Sequence, residues 1–329
     1  MKKLFTSLVA ACALTLPFSA QAATKTKICV FDIVGNVGPM MGAMKDWQAA
    51  ALGWGLEAEL IPYTNEAIAA EDLKAGVCEA ALITGIRGRG FNKYAGTVDS
   101  IGAIPTMDHM RLVLQVLSHP QSAGKLSQGS YQVMGIAPAG AAYVFVNDKE
   151  VNTLAKAAGK RVAVLEYDET QAKLVSQVGA TPVASDITNF STKFNNGVVD
   201  VIAAPLAAYE ALELYKGLSP DGGIINYPLV QLTIQLIAKK EAFPAETAQK
   251  SREYFYNNLD RILDQLKKEE SKVDQRWWVE IPDADKQEYE VLMQEARDQL
   301  RTEGYYDPTM LDMLRKVRCK LDQSRAECT

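Results

Sequence analysis

Short apolar runs alternate with helical stripes along the first part of the chain. Lys27 to Val34 is a β-rich run, and after Gly35-Asn36-Val37-Gly38-Pro39 a helical pattern extends from Met40 to Leu52. Leu56 to Pro62 reads as a second strand, Glu66 to Ala75 as a helix and Cys78 to Thr84 as a third strand. This βαβαβ order predicts a parallel sheet with helices on both faces, its ligand edge lying beyond the carboxyl ends of the strands. Asp99 to His119 is expected to be one helix, Gln121 to Gln132 a polar loop and Tyr143 to Val146 a short strand.

The pattern then restarts. Arg161 to Leu165, Thr181 to Ala184 and Val198 to Ala203 read as strands, with helices over Thr170 to Val178 and Asn189 to Asn196 between them. Phe194-Asn-Asn-Gly197-Val198-Val-Asp200 echoes Leu73-Lys-Ala-Gly76-Val77-Cys-Glu79, each a helix closed by a left-handed glycine and followed by a buried strand. Two similar α/β lobes are therefore expected, each with its own sheet. Tyr227 to Ala238 places Val230, Leu232, Ile234 and Leu236 on one face and Gln231, Thr233 and Gln235 on the other. A strand of that length runs about 40 Å, enough to cross between lobes as a hinge together with the segment near Tyr143. The remainder is helical. Phe255, Leu259, Ile262, Leu263 and Leu266 form one stripe, Asp283 is placed to cap a second helix stopped by Gly304, and Asp307-Pro308 starts a third.

Composition adds the compartment and the staples. Lys2 and Lys3 precede an apolar run from Leu4 to Phe18, and Ala20-Gln-Ala22 supplies small residues for cleavage, so residues 1–22 read as an export signal. Removing them leaves 329 − 22 = 307 residues, more than one core usually takes, and a formal charge of −5 − 2 = −7. That balance argues against nucleic acid as a partner. Of the four remaining cysteines, Cys29 and Cys78 fall in strands of one lobe, while Cys319 and Cys328 close a short terminal loop; these pairings are the expected disulfides. With two histidines and no C-x-x-C, no metal or cofactor is expected.

The candidate chemistry lies at the predicted ligand edges. Gly85-Ile-Arg87-Gly88-Arg89-Gly90-Phe91 puts two arginines on a glycine-rich loop, able to clamp an anion or else simply solvated. Asn36, Arg87 and Arg89 would form one wall of an inter-lobe cleft, and Glu166, Tyr167, Asp168, Asn189, Phe190 and Tyr209 the other, with Tyr143 and Tyr227 near the crossings. The tyrosines could equally be packing residues, Asn189 a helix cap, and Glu166 with Asp168 a solvated turn. Loop carboxylates alone do not signal catalysis, and an exported enzyme is the minor alternative.

Gly159-Lys-Arg-Val-Ala-Val, Gly179-Ala-Thr-Pro182-Val and Phe194-Asn-Asn-Gly197-Val-Val-Asp200 together resemble the second lobe of the periplasmic solute-binding subunits of TRAP transporters. The resemblance implies an α/β, two-lobed, type II periplasmic-binding-protein-like fold with parallel-rich sheets, crossing hinge strands and a C-terminal helical region. It implies lobe I over residues 23–144 plus about 228–262, lobe II over 145–227, and C-terminal helices over 263–329 packing across both. It further implies a monomer that closes on a small organic solute and hands it to membrane transporter subunits. More closely, the chain is similar to a divergent group called AdeT, labelled as RND-type efflux components linked to antibiotic resistance, which would make an efflux system the alternative partner. One position departs from the family: Ala163 stands where the family carries the arginine that pairs with a substrate carboxylate.

Overall fold

The structure, a computed structural model, describes residues 25–328; the expected signal over residues 1–22 lies outside them. The first half runs β1 (Thr26–Phe31), α1 (Pro39–Leu52), β2 (Ala58–Tyr63), α2 (Glu66–Ala75), β3 (Ala80–Thr84), two short helices α3 (Gly85–Gly88) and α4 (Lys93–Gly96), and α5 (Met107–Ser118). After the two-residue strand β4 (Ser127–Gln128) comes the long β5 (Tyr131–Val146). The second half comprises α6 (Leu154–Ala157), β6 (Arg161–Leu165), α7 (Glu169–Gln177), β7 (Thr181–Ser185), α8 (Phe190–Asn195), β8 (Val201–Pro205), α9 (Ala208–Ala211) and α10 (Tyr215–Leu218). The chain returns along β9 (Gly223–Lys239) and ends in α11 (Ala245–Asn257), α12 (Leu259–Glu270), the short β10 (Trp278–Val279), α13 (Asp283–Thr302) and α14 (Pro308–Leu321).

One sheet, not two, carries both halves. Its strand order is β2-β1-β3-β9-β5-β8-β6-β7. β1–β3 are mutually parallel, as are β6–β8, while β5 and β9 run antiparallel to each other and to the strands they flank. With 17 and 16 residues, β9 and β5 are long enough to serve both halves, so the ladder is never broken. The first two-thirds of β5 escape a sequence reading because Gly135, Pro138 and Gly140 interrupt its pattern. Its register against β9 slips between Val133 and Gly135, Pro138 and Gly140, and Ala142 and Val144, where bulges tolerate such residues. Gly135 is also where a Cβ would meet the Phe255 ring at 2.2 Å, so α11 lies directly on the strand.

Four other expectations change. The helix expected from Asp99 begins only at Met107, because residues 97–103 form a 3₁₀ turn and a tight loop held to β9 by Gly102 N–H donating to the Leu229 carbonyl. The Gly85–Phe91 loop opens as a helical turn, with the Thr84 hydroxyl accepting the Arg87 N–H. The helix expected from the Phe255–Leu266 stripe breaks at Asn258 into α11 and α12, and Asp283 lies inside α13 after Pro282 rather than capping it. Cys29 bonds Cys78 and Cys319 bonds Cys328. Among the described residues no helix is long and apolar enough to cross a membrane, and no cluster of three metal-ligating side chains forms.

The cores are unequal. The first half packs around Trp47, Met41, Met44, Leu73 and Met110. The second has two smaller clusters, one completed by Val273 and Trp277, the other by Ile281, Tyr289 and Met293 from the C-terminal region.

Candidate functional site

At the carboxyl end of β1, Asp32 turns its carboxylate back over the start of α1. It accepts from the N–H groups of Val34 (2.9 Å), Met40 (2.8 Å) and Met41 (3.0 Å). The approach requires glycine at 38, where a Cβ would fall 1.9 Å from Asp32 Oδ1. A helix N-terminus suited to an anion is thus already filled by the chain's own carboxylate. Asn36 is exposed beside it and contributes only its carbonyl, to Lys45 Nζ at 3.1 Å.

The ends of β2, β3 and β6 meet in one cluster. Glu66, at the first position of α2 and 1% exposed at its side chain, accepts from the Thr84 N–H at 2.6 Å and from Arg87 Nε at 2.9 Å. Tyr167, just past β6, lays its ring 3.8 Å from the Arg87 guanidinium and donates its hydroxyl to Glu66 Oε2 at 3.3 Å. Burial, reinforced by the Glu66 charge, holds the Tyr167 phenol well above its ordinary pKa, so it stays a donor. One half of the sheet therefore offers an ion pair and the other an aromatic lid over it. Charge held in a desolvated place of this kind interacts more strongly than it does in water.

A second layer lies behind. Arg89 is buried, donates Nε to the Gly96 carbonyl at 3.2 Å and sits under Tyr305 (4.6 Å) and Tyr306 (5.0 Å), while its Nη1 has no partner. Asp168 caps α7 through Thr170 and accepts from the Tyr305 hydroxyl at 2.8 Å. Asp99 accepts from the Thr233 N–H (3.0 Å) and hydroxyl (2.6 Å) on β9; burial raises its pKa to about 7 against those bonds and the Arg89 charge. The turn between α13 and α14 thus ties the start of α7 to the first half. Lys93 Nζ donates to the Gly304 carbonyl, and Asp307 N–H to the Thr97 hydroxyl at 2.9 Å.

Of the residues singled out from sequence, Arg87, Arg89, Tyr167 and Asp168 come together here. The others lie apart. Glu166 is exposed at the rim. Asn189 accepts from the Asp186 N–H at 3.1 Å, and Phe190 packs on the core of the second half. Tyr209 is buried in that core, its hydroxyl accepting from Trp277 Nε1 at 2.9 Å. Tyr143 stands edge-on to Trp278 at 5.3 Å, and Tyr227 stacks on Tyr289 at 5.3 Å, its phenol pushed up to about 12 by burial and by Glu290. These three tyrosines serve packing because each meets an aromatic from another element. Glu66, Asp99 and the Tyr305-Tyr306 pair were missed. An acid directly after the helix-capping Asn65 at a strand end, and two aromatics wedged between Gly304 and Asp307-Pro308, are the signals that mark them.

Ala163 is half-buried among the apolar residues of the second core, so no cation stands there. The neighbouring Arg161 turns to Asp200 at the opposite end of the strand, with Nε–Oδ2 at 3.0 Å and Nη2–Oδ1 at 2.5 Å. Ile187, after β7, packs against the core of the first half and so bridges the two. A separate groove of about 120 Å³ lies between α5 and α12, lined by Met107, Asp108, Arg111, Leu263, Leu266, Lys267 and Glu270.

Comparison with known proteins agrees with this architecture. A family model described as solute-binding protein AdeT 1/2 matches residues 50–329. The probable solute-binding protein AdeT1 of Acinetobacter baumannii is 43% identical over 299 residues, covering 91% of this chain and 98% of that one. AdeT2 of the same organism is 30% identical over 233 residues, 71% of this chain and 98% of its own length. Among solved structures, a TRAP periplasmic solute-binding protein from Desulfovibrio salexigens with bound orotic acid has a TM-score of 0.74 at 14% identity, covering 90% of this chain and 99% of that one. One from Haemophilus influenzae with bound L-gulonate has a TM-score of 0.74 at 12% identity, covering 89% and 99%. The chain belongs to the AdeT 1/2 family of solute-binding proteins, on the two-lobed α/β fold of the TRAP periplasmic binding proteins.

Proposed function

We propose that this protein works in the periplasm, captures a small polar organic solute between its two lobes and passes it unchanged to a membrane transporter. The lobes would be residues 23–144 with about 228–262, and 145–227, hinged on β5 and β9. The observation that carries the reading is the closure of Tyr167 over the Arg87–Glu66 pair at the ligand edges of both halves. In that arrangement a solute bound by both walls favours the closed form by its difference in affinity for the two states. Arg87, Glu66 and Tyr167 form its first contacts; Arg89, Asp99 and Asp168 form the polar layer behind.

Native mass spectrometry of protein released gently from the periplasm tests this. The expected result is one small molecule per chain, lost in Tyr167→Ala and retained in Tyr227→Phe, which lies outside the site. Recovery of the bare chain mass from wild type, together with no closure on exposure to periplasmic metabolites, would overturn it.

A further inference from the structure

Resting on that reading of the gap, we infer that its solute is an ammonium-bearing organic cation and not a simple organic acid. Of the features between the halves that would favour a carboxylate, all but the buried Arg89 Nη1 are already occupied. The N-terminus of α1 holds Asp32 and that of α7 holds Asp168. Arg87 is neutralised by Glu66, Arg89 is buried beneath two tyrosines, and Lys193 reaches back to the Ala184 carbonyl and the Ser185 hydroxyl at the end of β7. Position 163, an alanine, supplies nothing.

What remains unspent is acceptor chemistry. Glu166 is exposed just past β6, and Asp186, half-buried just past β7, accepts through Oδ1 alone, from the Thr188 N–H and hydroxyl; no lysine or arginine stands on either loop. On the polar face of β9, Gln231 and Gln235, 4% and 0% exposed, each hold a side-chain oxygen with no partner. The Gln235 oxygen sits 3.1 Å from where a Gly88 Cβ would stand, against the turn that carries Arg87 and Arg89. Buried acceptors without donors call for a ligand that brings N–H groups. Aromatic faces that already receive guanidinium groups suit an ammonium as well. A cleft with an excess of carboxylates concentrates cations by its field and repels anions.

Thermal melting of the mature chain against two probe panels decides this. One panel contains amines: putrescine, spermidine, ethanolamine and glucosamine. The other contains acids: glucuronate, galacturonate, gulonate and orotate. The inference expects a rise in melting temperature with at least one amine and none with the acids. The amine affinity should weaken with added salt. It should also fall roughly two- to fivefold in Glu166→Gln, an exposed position whose melting without probe should not change. A rise with an acid that Arg87→Ala abolishes would overturn the cation assignment and leave the solute-binding reading standing. No rise with any amine, and no retained molecule by mass spectrometry, would overturn both.

Discussion

Gly76 closes α2 in the left-handed region at φ 79°, and three residues on Glu79 donates its N–H to the Lys27 carbonyl while its carboxylate accepts the Lys27 N–H at 2.7 Å. Gly197 closes α8 at φ 67°, and three residues on Asp200 bonds to the Arg161 carbonyl and accepts the Arg161 N–H at 2.8 Å. The same joint is built twice, yet what surrounds it differs. In the first half it is stapled by Cys29–Cys78 and backed by a helix that buries Met41, Met44, Trp47 and Ala51. In the second it is held by an ion pair with Arg161, and α7 fully buries only Thr170. A shared topology thus yields a rigid platform and a lighter jaw whose core is finished by Val273 and Trp277 from the C-terminal region. That asymmetry suits a molecule in which one half moves against the other.

The comparison breaks most readily at Trp277. Trp277→Ala should cost about 3–5 kcal/mol, and hydrogen exchange should show protection lost in β6–β8 while β1–β3 keep theirs. Equal loss in both halves would contradict the division. Removing Cys29–Cys78, which closes a separation of 49 residues, should cost about 4 kcal/mol in denaturant unfolding. Removing Cys319–Cys328, which closes 9, should cost about 3 kcal/mol on the same chain-entropy argument. Asp200→Ala should cost about 1–2 kcal/mol through the lost bond to the Arg161 N–H, and more than Glu79→Ala, because only Asp200 also orients an arginine.

The remaining predictions concern pH. Asp99 is raised from its ordinary 3.8 to about 7, so the folded chain holds an extra proton between those values. Stability should fall as pH rises from about 4 to about 7 and level off above, and Asp99→Asn should remove that slope. Glu327 runs the other way. Burial opposes the shift, but the charge-assisted bonds from Arg318, with help from Arg297 and Arg325, lower its pKa to about 2. Its contribution is present above its ordinary 4.5 and is lost as pH falls toward 2.

Much of this was legible in the residues. The paired joints at Gly76 and Gly197, the alternation along β9 and the stripes of α12–α14 follow directly from spacing. β5 was not legible, since bulges admit Gly and Pro that a pattern reading treats as breaks. The site was half legible. Rules for strand ends located Arg87, Arg89, Tyr167 and Asp168, but sequence does not tell which face of a strand or turn an aromatic takes. Tyr143, Tyr209 and Tyr227 went to Trp278, Trp277 and Tyr289, partners that enter from distant parts of the chain. Glu66 was hidden because its role depends on Thr84 and Arg87, which fold back to it from the far end of β3.

The most direct measurement is the distance between spin labels at Ile68, exposed on α2, and Glu169, exposed at the start of α7, by pulsed electron resonance. In wild type the account predicts a short-distance population that grows when the retained solute is added, and that gives way to longer distances in Tyr167→Ala. A single distance, unchanged by solute and identical in the variant, would contradict it.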